Sequence, residues 1–234
     1  MVAVFKRELR SFLQSPVGYA YLAIFLAITN MIFYFTNVMS NTTDTTNYFG
    51  WVRYVLIIVI PILAMKLFPE ERKNKTDQIL ITAPISITGM VMGKFLAAYV
   101  IYVIGLLPTL INMFFLMTVG YLEVGIVIGN YIGLLFVGAA FLALAMFMSV
   151  LTESMITAFI MGAFSLAIFA VADFLADSLN NTVVTKIVNA ISVTQRCNEF
   201  NQGLFNVASL IYFLSLAVIF VFVTIRVIDK RRWS

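Results

Sequence analysis

The stretch MGKFLAAYVIYVIGLLPTLINMFFLMT, residues 92–118, decides the class of fold. Lys94 is its only charged side chain, and most of its other positions are apolar. A helix needs about 20 consecutive apolar residues to cross the hydrocarbon core of a bilayer. This stretch is long enough to do so, with Pro108 inside it. It therefore predicts a transmembrane helix rather than a core helix of a soluble domain.

Comparable apolar runs lie on both sides of it. Of the 234 residues, 62% are apolar and 11% are charged, whereas a soluble domain carries about a quarter charged residues. We therefore expect an all-α polytopic membrane protein, a single transmembrane domain over residues 1–234, with no soluble domain large enough to act alone. The six predicted spans are residues 17–39, 51–68, 92–118, 126–151, 155–174 and 208–227.

The first 15 residues, MVAVFKRELRSFLQS, precede the first span. Apolar side chains recur there at helical spacing, and charged ones occupy the other side. The pattern predicts an amphipathic helix lying in the membrane interface and ended by Pro16; a frayed terminus is the alternative. The apolar side comprises Val2, Phe5, Leu9, Phe12 and Leu13, and the polar side Lys6, Arg7, Glu8 and Arg10.

Basic residues assign the two sides of the membrane. The amino-terminal helix carries three, the 66–94 region five and the carboxyl-terminal tail four of the 15 in the chain. Cytoplasmic segments accumulate Lys and Arg, so these regions and both termini are predicted to be cytoplasmic. The turn at residues 152–154 has no basic residue and follows by parity alone. Because the cations flank apolar runs, they indicate topology and no nucleic-acid partner.

The sequence lacks the residue patterns of several common enzyme active sites. The chain has no histidine, which excludes a Ser-His pair and an HExxH zinc site, and its single cysteine cannot form an internal disulfide. The segment GMVMGKF at residues 89–95 fails as a phosphate-binding loop, because three residues separate its glycines and Phe95 follows Lys94. Lys94 is interpreted as snorkelling at a span boundary. We predict no catalytic residue, no metal site and no cofactor bound by this chain.

The cores of the spans are predicted to be free of charge. Ion-coupled transporters usually place charged groups at mid-span, so that class is disfavoured here. Asn30 and Asn112 lie within spans, where they could line a path or link two helices. A stripe of Gly125, Gly129 and Gly133 predicts close helix packing, with a gating hinge as the alternative.

The most polar segment is the predicted cytoplasmic loop 69–91, which contains PEERKNKTDQILITAPIS. It begins like a helix, because proline is followed by two glutamates near the positive end of the helix dipole. It ends on an apolar segment, Ile79 to Ile81. We interpret this combination as a docking helix; a solvated loop that only sets topology is the alternative.

Four features in order resemble the ABC transporter type-2 permeases, particularly the branch of gliding-motility and copper-enzyme-maturation permeases. They are FKRELRSF before the first span, the loop pattern with Gly93-Lys94-Phe95, a Gly203 segment leading into IYFLSLAVIFVFVTIRVI, and a closing RRW. The loop pattern is Glu71-x4-Thr76-Asp77-x-Ile79-Leu80-x-Thr82-x-Pro84.

The resemblance implies a six-span permease fold that dimerises. Each copy would contact a separate ATPase subunit, which binds ATP and Mg, through a coupling helix in the first cytoplasmic loop. It also implies that segment 175–207 is extracytoplasmic and re-entrant, although Phe205 and Asn206 stand where an acidic residue is expected. The implied coupling residues are Glu70, Glu71, Arg72, Lys73, Thr76, Asp77, Ile79, Leu80 and Pro84.

The function expected from the sequence is therefore the permease subunit of an ABC exporter in the bacterial cytoplasmic membrane. Its expected partners are an ABC ATPase subunit, a second or homologous permease, and the lipid bilayer. Two alternatives stay open, a membrane anchor or regulator that moves no substrate and an ion-coupled transporter. The charge-poor interior favours lipid-like, peptide or hydrophobic cargo.

Overall fold

The computed structural model describes residues 1–73, 86–178, 196, 200 and 206–232. Within these ranges every regular element is helical. The helices are α1 (Val2–Gln14), α2 (Pro16–Phe33), α3 (Thr46–Leu67), α4 (Pro69–Lys73), α5 (Ile87–Leu106), α6 (Thr109–Val119), α7 (Val124–Val150), α8 (Met155–Ser178) and α9 (Val207–Arg232). A π-helical turn, Tyr34–Val38, extends α2.

Five of these helical stretches are long and apolar enough to cross a membrane. The chain is therefore a polytopic membrane protein, as the sequence predicts. The helix α8 spans 24 residues, and its described apolar part is Met155–Ile168; a sixth span stays a prediction. The five stretches are Pro16–Val38, Thr46–Lys73, Ile87–Val119, Val124–Val150 and Val207–Lys230.

Two helices begin before the spans predicted within them. The helix α3 begins at Thr46, whereas the predicted second span begins at residue 51, and Tyr48 and Phe49 in its first turn are buried in the core. The helix α5 begins at Ile87, whereas the predicted third span begins at residue 92, because the Ser86 side chain caps the helix by accepting a hydrogen bond from the Gly89 amide at 3.2 Å. These starts lengthen both helices into segments that the sequence assigned to loops.

The two membrane prolines act differently. The helix α3 continues through Pro61, which packs close to Gly162 of α8. At Pro108 the helical chain breaks, and the third span consists of α5 and α6. Proline lacks the backbone donor that a helix interior requires, and only the second site resolves that loss with a break.

Contacts between helices show which ends lie together. Lys66 at the end of α3 reaches Ser11 of α1, and Lys94 in the first turns of α5 reaches Glu8 of α1. Arg72 in α4 donates to the Thr152 carbonyl, between α7 and α8, at 3.4 Å. The turn at 152–154 therefore lies at the same end of the bundle as the charged loop.

The last helix returns to that end. Phe213 and Phe220 of α9 line one small cavity with Phe141 and Leu144 of α7. The ring centres of Phe147 in α7 and Phe220 lie 6.0 Å apart. The helices α7 and α9 thus run in the same direction. Since α7 ends beside Thr152, α9 ends there too, and the two ends of the described chain lie at one end of the bundle.

Candidate functional site

The site is built around the junction of α1 and α2. Ser15 ends α1 and caps α2, because its hydroxyl accepts a hydrogen bond from the Gly18 amide at 3.3 Å. Pro16 occupies the first turn of α2, where its missing amide costs nothing. A Cβ at Gly18 would overlap the Phe12 carbonyl. Glycine therefore permits the sharp turn that lays α1 across the end of the bundle.

The buried face of α1 differs from the predicted one. Val4, Glu8 and Phe12 are buried, whereas Val2 and Leu13 are exposed. Glu8 was predicted to share one side of α1 with Lys6, Arg7 and Arg10, but it is buried whereas those three residues are exposed. Val4, Glu8 and Phe12 are four apart, so they form one helical stripe, and a charged partner on α5 neutralises the buried charge of its middle member.

Two glycines of α5 allow the close approach of α1. A Cβ at Gly93 would lie 3.2 Å from the Met1 carbonyl oxygen and from Val4, and one at Gly89 would lie 3.5 Å from the Met1 nitrogen. Small residues four apart let two helix backbones come together. The segment GMVMGKF, which resembles a phosphate-binding loop superficially, is thus the surface on which α1 packs. The close approach brings Lys94, which follows Gly93, within reach of Glu8.

Lys94 is the centre of the site. Its side chain is fully buried, and the Nζ atom donates to the Leu67 carbonyl at 2.7 Å, Glu71 Oε2 at 2.9 Å and Glu8 Oε1 at 3.2 Å. An ammonium group has three donors, and each has a partner here. The snorkelling interpretation was wrong, because the covering helix α1 separates Lys94 from the interface and supplies a carboxylate in place of water.

The two carboxylates are bridged in turn by Arg7. Its guanidinium bonds to Glu71 Oε1 at 2.6 Å and to the adjacent Glu8. The four side chains form a closed ring of two cations and two anions, which we call the Lys94 ring: Arg7, Glu8, Lys94 and Glu71. It joins α1, the first turn of the 69–91 loop, and the third span.

The ring also shifts the pKa values of two of its members, Glu8 and Arg7. Burial by itself would raise the pKa of Glu8, but the charge of Lys94 and the hydrogen bond and charge of Arg7 outweigh it. The net effect holds the pKa of Glu8 below its ordinary value. For Arg7, burial opposes the charged form, and the bonds and charges of Glu8 and Glu71 outweigh it, which raises its pKa. Glu8 and Arg7 therefore keep their charges at neutral pH.

A second buried lysine stands beside the ring. Lys66 donates to the Ser11 carbonyl at 2.8 Å, lies 5.0 Å from the centre of the Phe12 ring, and sits 3.9 Å from Glu70 Oε2. It thereby fastens the end of α3 to α1. Two lysines from two spans hold the same amino-terminal helix.

The predicted coupling residues differ in what they contact. Glu71 belongs to the Lys94 ring, and Glu70 lies near Lys66. Arg72 contacts the turn between α7 and α8, whereas Lys73 is exposed. The remaining predicted coupling residues, Thr76, Asp77, Ile79, Leu80 and Pro84, lie outside the described residues, as does most of the 175–207 segment.

Sequence reasoning missed Glu8, Lys66 and Lys94 as site residues. Two local signals were present: Glu8 interrupts the stripe of Val4 and Phe12, and Gly89 and Gly93 form a small-residue seat. Neither reveals its partner, because 86 residues separate Lys94 from Glu8.

The glycine stripe of α7 is only partly in contact. A Cβ at Gly129 would lie 3.3 Å from the Phe200 carbonyl oxygen, and one at Gly133 would lie 3.0 Å from the Phe200 ring. Gly125 has no described atom within 4 Å of such a Cβ. Packing at Gly125 therefore stays a prediction.

The arrangement links three segments of the chain through salt bridges. Among the described residues no cluster of three or more His, Cys, Asp or Glu side chains could hold a metal ion. The charged groups that meet at the site satisfy one another in salt bridges. The ring thereby connects the first turn of the loop to α1 and to the third span.

Comparison with known proteins identifies the family. The family model described as "ABC-2 family transporter protein" matches residues 14–165, well over half of the chain. No curated protein matches the sequence. The chain belongs to the ABC-2 transporter family.

Proposed function

From its membership of the ABC-2 family, we propose that the chain is the permease subunit of an ABC exporter. It works as a dimer with a second or homologous permease, and separate ATPase subunits bind ATP and Mg. The 69–91 loop is the coupling element on the cytoplasmic side, and both termini lie on that side of the bacterial cytoplasmic membrane. The narrower assignment to the gliding-motility and copper-enzyme-maturation branch rests on the four sequence features alone.

The observation that carries this proposal is the bonding of Glu71. It lies in the first helical turn of the loop, and its two carboxylate oxygens bond to Lys94 in the third span and to Arg7 in α1. A coupling element must be tied to the helices that it moves. A displacement of the loop by an ATPase subunit would pull on both through these short bonds.

The placement of buried charge supports the same class. The buried charged side chains of the described residues are Glu8, Lys66 and Lys94, and all lie at the loop end of the bundle. An ion-coupled transporter needs such groups at mid-span. Charge that is concentrated at the loop end instead suits a permease driven from the cytoplasm by a partner.

One polar pair lies far from this end. The Asn112 amide donates to the Asn30 side-chain oxygen at 2.9 Å, on the exposed surface of α6 and α2. Polar side chains are costly against lipid. We propose that this surface faces the second permease and the transport path in the assembled dimer.

The test separates docking from transmission. Lys73 is exposed, so Lys73→Glu should weaken copurification of the ATPase subunit from detergent-solubilised membranes. Glu71 faces inward, so Glu71→Gln should keep the ATPase subunit bound and uncouple it. Glu153→Gln, an exposed carboxylate at the same end, is the matched control and should change neither property.

Uncoupling can be measured without a known substrate. An environment-sensitive dye on Tyr121→Cys, in a Cys197→Ser background, reports from the highly exposed segment between α6 and α7. In the reconstituted complex, ATP and Mg should change its emission in the parent and in Glu153→Gln, but not in Glu71→Gln. A full response in Glu71→Gln would show that the Lys94 ring is only structural.

Failure of docking has its own signature. Unchanged copurification in Lys73→Glu and in a further variant, Arg72→Glu, would contradict the loop as the docking element. A dye that never responds to ATP, in a complex that hydrolyses it, would favour the membrane-anchor alternative over transport.

A further inference from the structure

A groove of about 680 Å³ lies between α1 and the end of α3, next to the Lys94 ring. Its lining includes one carboxylate, Glu70, and four cations. The excess of positive charge suits an anionic ligand. The four cations are Lys6, Arg7, Arg10 and Lys66.

The four cations differ in whether they already have bonding partners within the chain. Arg7 is bonded to the two carboxylates of the ring, and Lys66 donates to the Ser11 carbonyl. Lys6 and Arg10 are exposed, and neither has a hydrogen bond or ion pair with the rest of the described chain. They are four residues apart on α1, so their side chains are neighbours on one helical face. The groove thus presents two available cations side by side.

The position of the groove along the membrane-length helices indicates that the anion comes from a lipid. Ser15 and Pro16 line it, and Pro16 begins the first membrane-length helix, whereas Lys66 lies near the end of the second. The groove is therefore at the level where the apolar helices meet the polar interface. Phospholipid phosphates lie at this level.

Nearby apolar surface fits the rest of a lipid. Leu13 of α1 is 42% exposed, and Tyr19, one turn beyond Pro16 in α2, is 63% exposed. An acyl chain that leaves the groove would meet apolar side chains rather than water. A soluble phosphate compound would gain nothing from them.

We propose that this groove is a binding site for the phosphate-bearing headgroup of an anionic phospholipid. Lys6 and Arg10 contact the phosphate, and the amide of Gln14, which also lines the groove, offers a neutral donor. The site does not depend on transport. Because Arg7 and Glu70 line the same groove, an occupied site would also hold α1 against the end of α3, beside the ring.

Direct binding of labelled lipids tests the proposal. The full chain, purified in neutral detergent, is titrated into phosphatidylglycerol that carries an acyl-chain fluorophore, and anisotropy is recorded at low salt. Phosphatidylcholine with the same fluorophore should bind more weakly. The double variant Lys6→Gln, Arg10→Gln should bind phosphatidylglycerol roughly 30-fold more weakly, which corresponds to about fivefold for each basic residue near an anionic surface.

A charge-matched control distinguishes a site from a general field. The double variant Arg226→Gln, Lys230→Gln removes two cations from the end of α9, at the same end of the bundle, and should retain affinity. Gln14→Glu adds a negative charge to the groove without removing any cation, and should also weaken binding. Both groove substitutions are at exposed positions, and unchanged gel-filtration profiles verify that the variants fold.

The possible outcomes distinguish a lipid site from general charge attraction and from a site for soluble phosphate. Equal losses in the groove and control variants would overturn the site in favour of non-specific charge attraction. Displacement of the lipid by millimolar glycerol 3-phosphate or inorganic phosphate would overturn the lipid source in favour of a soluble phosphate. A selective loss in Lys6→Gln, Arg10→Gln and in Gln14→Glu, with no displacement by soluble phosphates, supports the proposal.

Discussion

The loop end of the bundle and its middle are held together by different forces. At the loop end, α1, α4 and α5 meet through the buried Lys94 ring. In the middle, α5 and α7 meet through uncharged contacts: the Tyr102 hydroxyl donates to the Leu134 carbonyl at 2.7 Å, above Gly138. The charged contacts lie at the loop end, where the chain meets its proposed partner. The uncharged contacts lie in the middle, where the helices pack against one another.

The difference concerns what each region can do. A buried ion pair is costly to form and more costly to break, so it suits a joint whose parts must move as one. A tyrosine bonded to a helix carbonyl and packed over glycine adds precise fit at little electrostatic cost. We therefore expect the two regions to respond to different substitutions.

The largest effect is expected from removing both carboxylates around Lys94. Glu8→Gln with Glu71→Gln leaves the ammonium group buried without an anionic partner, which should lower the free energy of unfolding by about 3–5 kcal/mol. Unfolding of the purified chain in neutral detergent measures it. Adding Lys94→Met to the pair removes the stranded charge and should restore most of the loss. A double variant that loses less than about 1 kcal/mol would show that Lys94 carries no buried charge.

The middle of the bundle should yield a smaller effect. A Cβ at Gly138 would overlap the ring of Tyr102, so Gly138→Ala should cost about 1–3 kcal/mol through overpacking. Gly125→Ala in the same helix is the matched control, and alanine is the better helix former. The control should be neutral or stabilising; a clear loss there would show that the glycine stripe packs closely at Gly125 as well.

The contrast also shows which features of the fold can be predicted from the sequence. Length and apolarity predict the membrane-length helices, because exclusion of water acts on each run independently of its neighbours. The buried face of α1 could not be predicted in this way. Val2, Phe5 and Leu9 form an apolar stripe as good as that of Val4 and Phe12, and the choice depends on Lys94, far away in sequence.

The coupling residues show a similar division. The implied coupling residues include Glu71 and Arg72, and the structure places both at contacts with other elements. The resemblance gave the same role to the inward Glu71 and the exposed Lys73, because their orientations follow from how α4 continues α3 and meets α5. The local pattern predicts that the loop matters, and tertiary packing decides how.

Acid should weaken the loop end of the bundle through Glu8. Because the pKa of Glu8 is lowered in the folded chain, its contribution to stability is complete above the ordinary glutamate value of 4.5 and is lost as the pH falls through the lowered value. We expect a smaller loss than in the double carboxylate variant, since a protonated carboxyl still hydrogen-bonds. Unfolding midpoints from pH 7 to pH 3 measure it. The difference between parent and Glu8→Gln should shrink on acidification; a constant difference would contradict the lowered pKa.

The smallest effect is expected at the exposed edge of the Lys94 ring. The Arg7 side chain is 50% exposed, so water replaces much of what its ion pairs provide. Arg7→Gln should cost at most about 1 kcal/mol, and less at high salt. Arg10→Gln, three residues along α1, removes the same charge without breaking a bond between described residues and should cost nothing in neutral detergent. If Arg7→Gln instead destabilised the chain as strongly as loss of both carboxylates, the ring would be centred on Arg7, and burial of Lys94 would not explain the stability of this end.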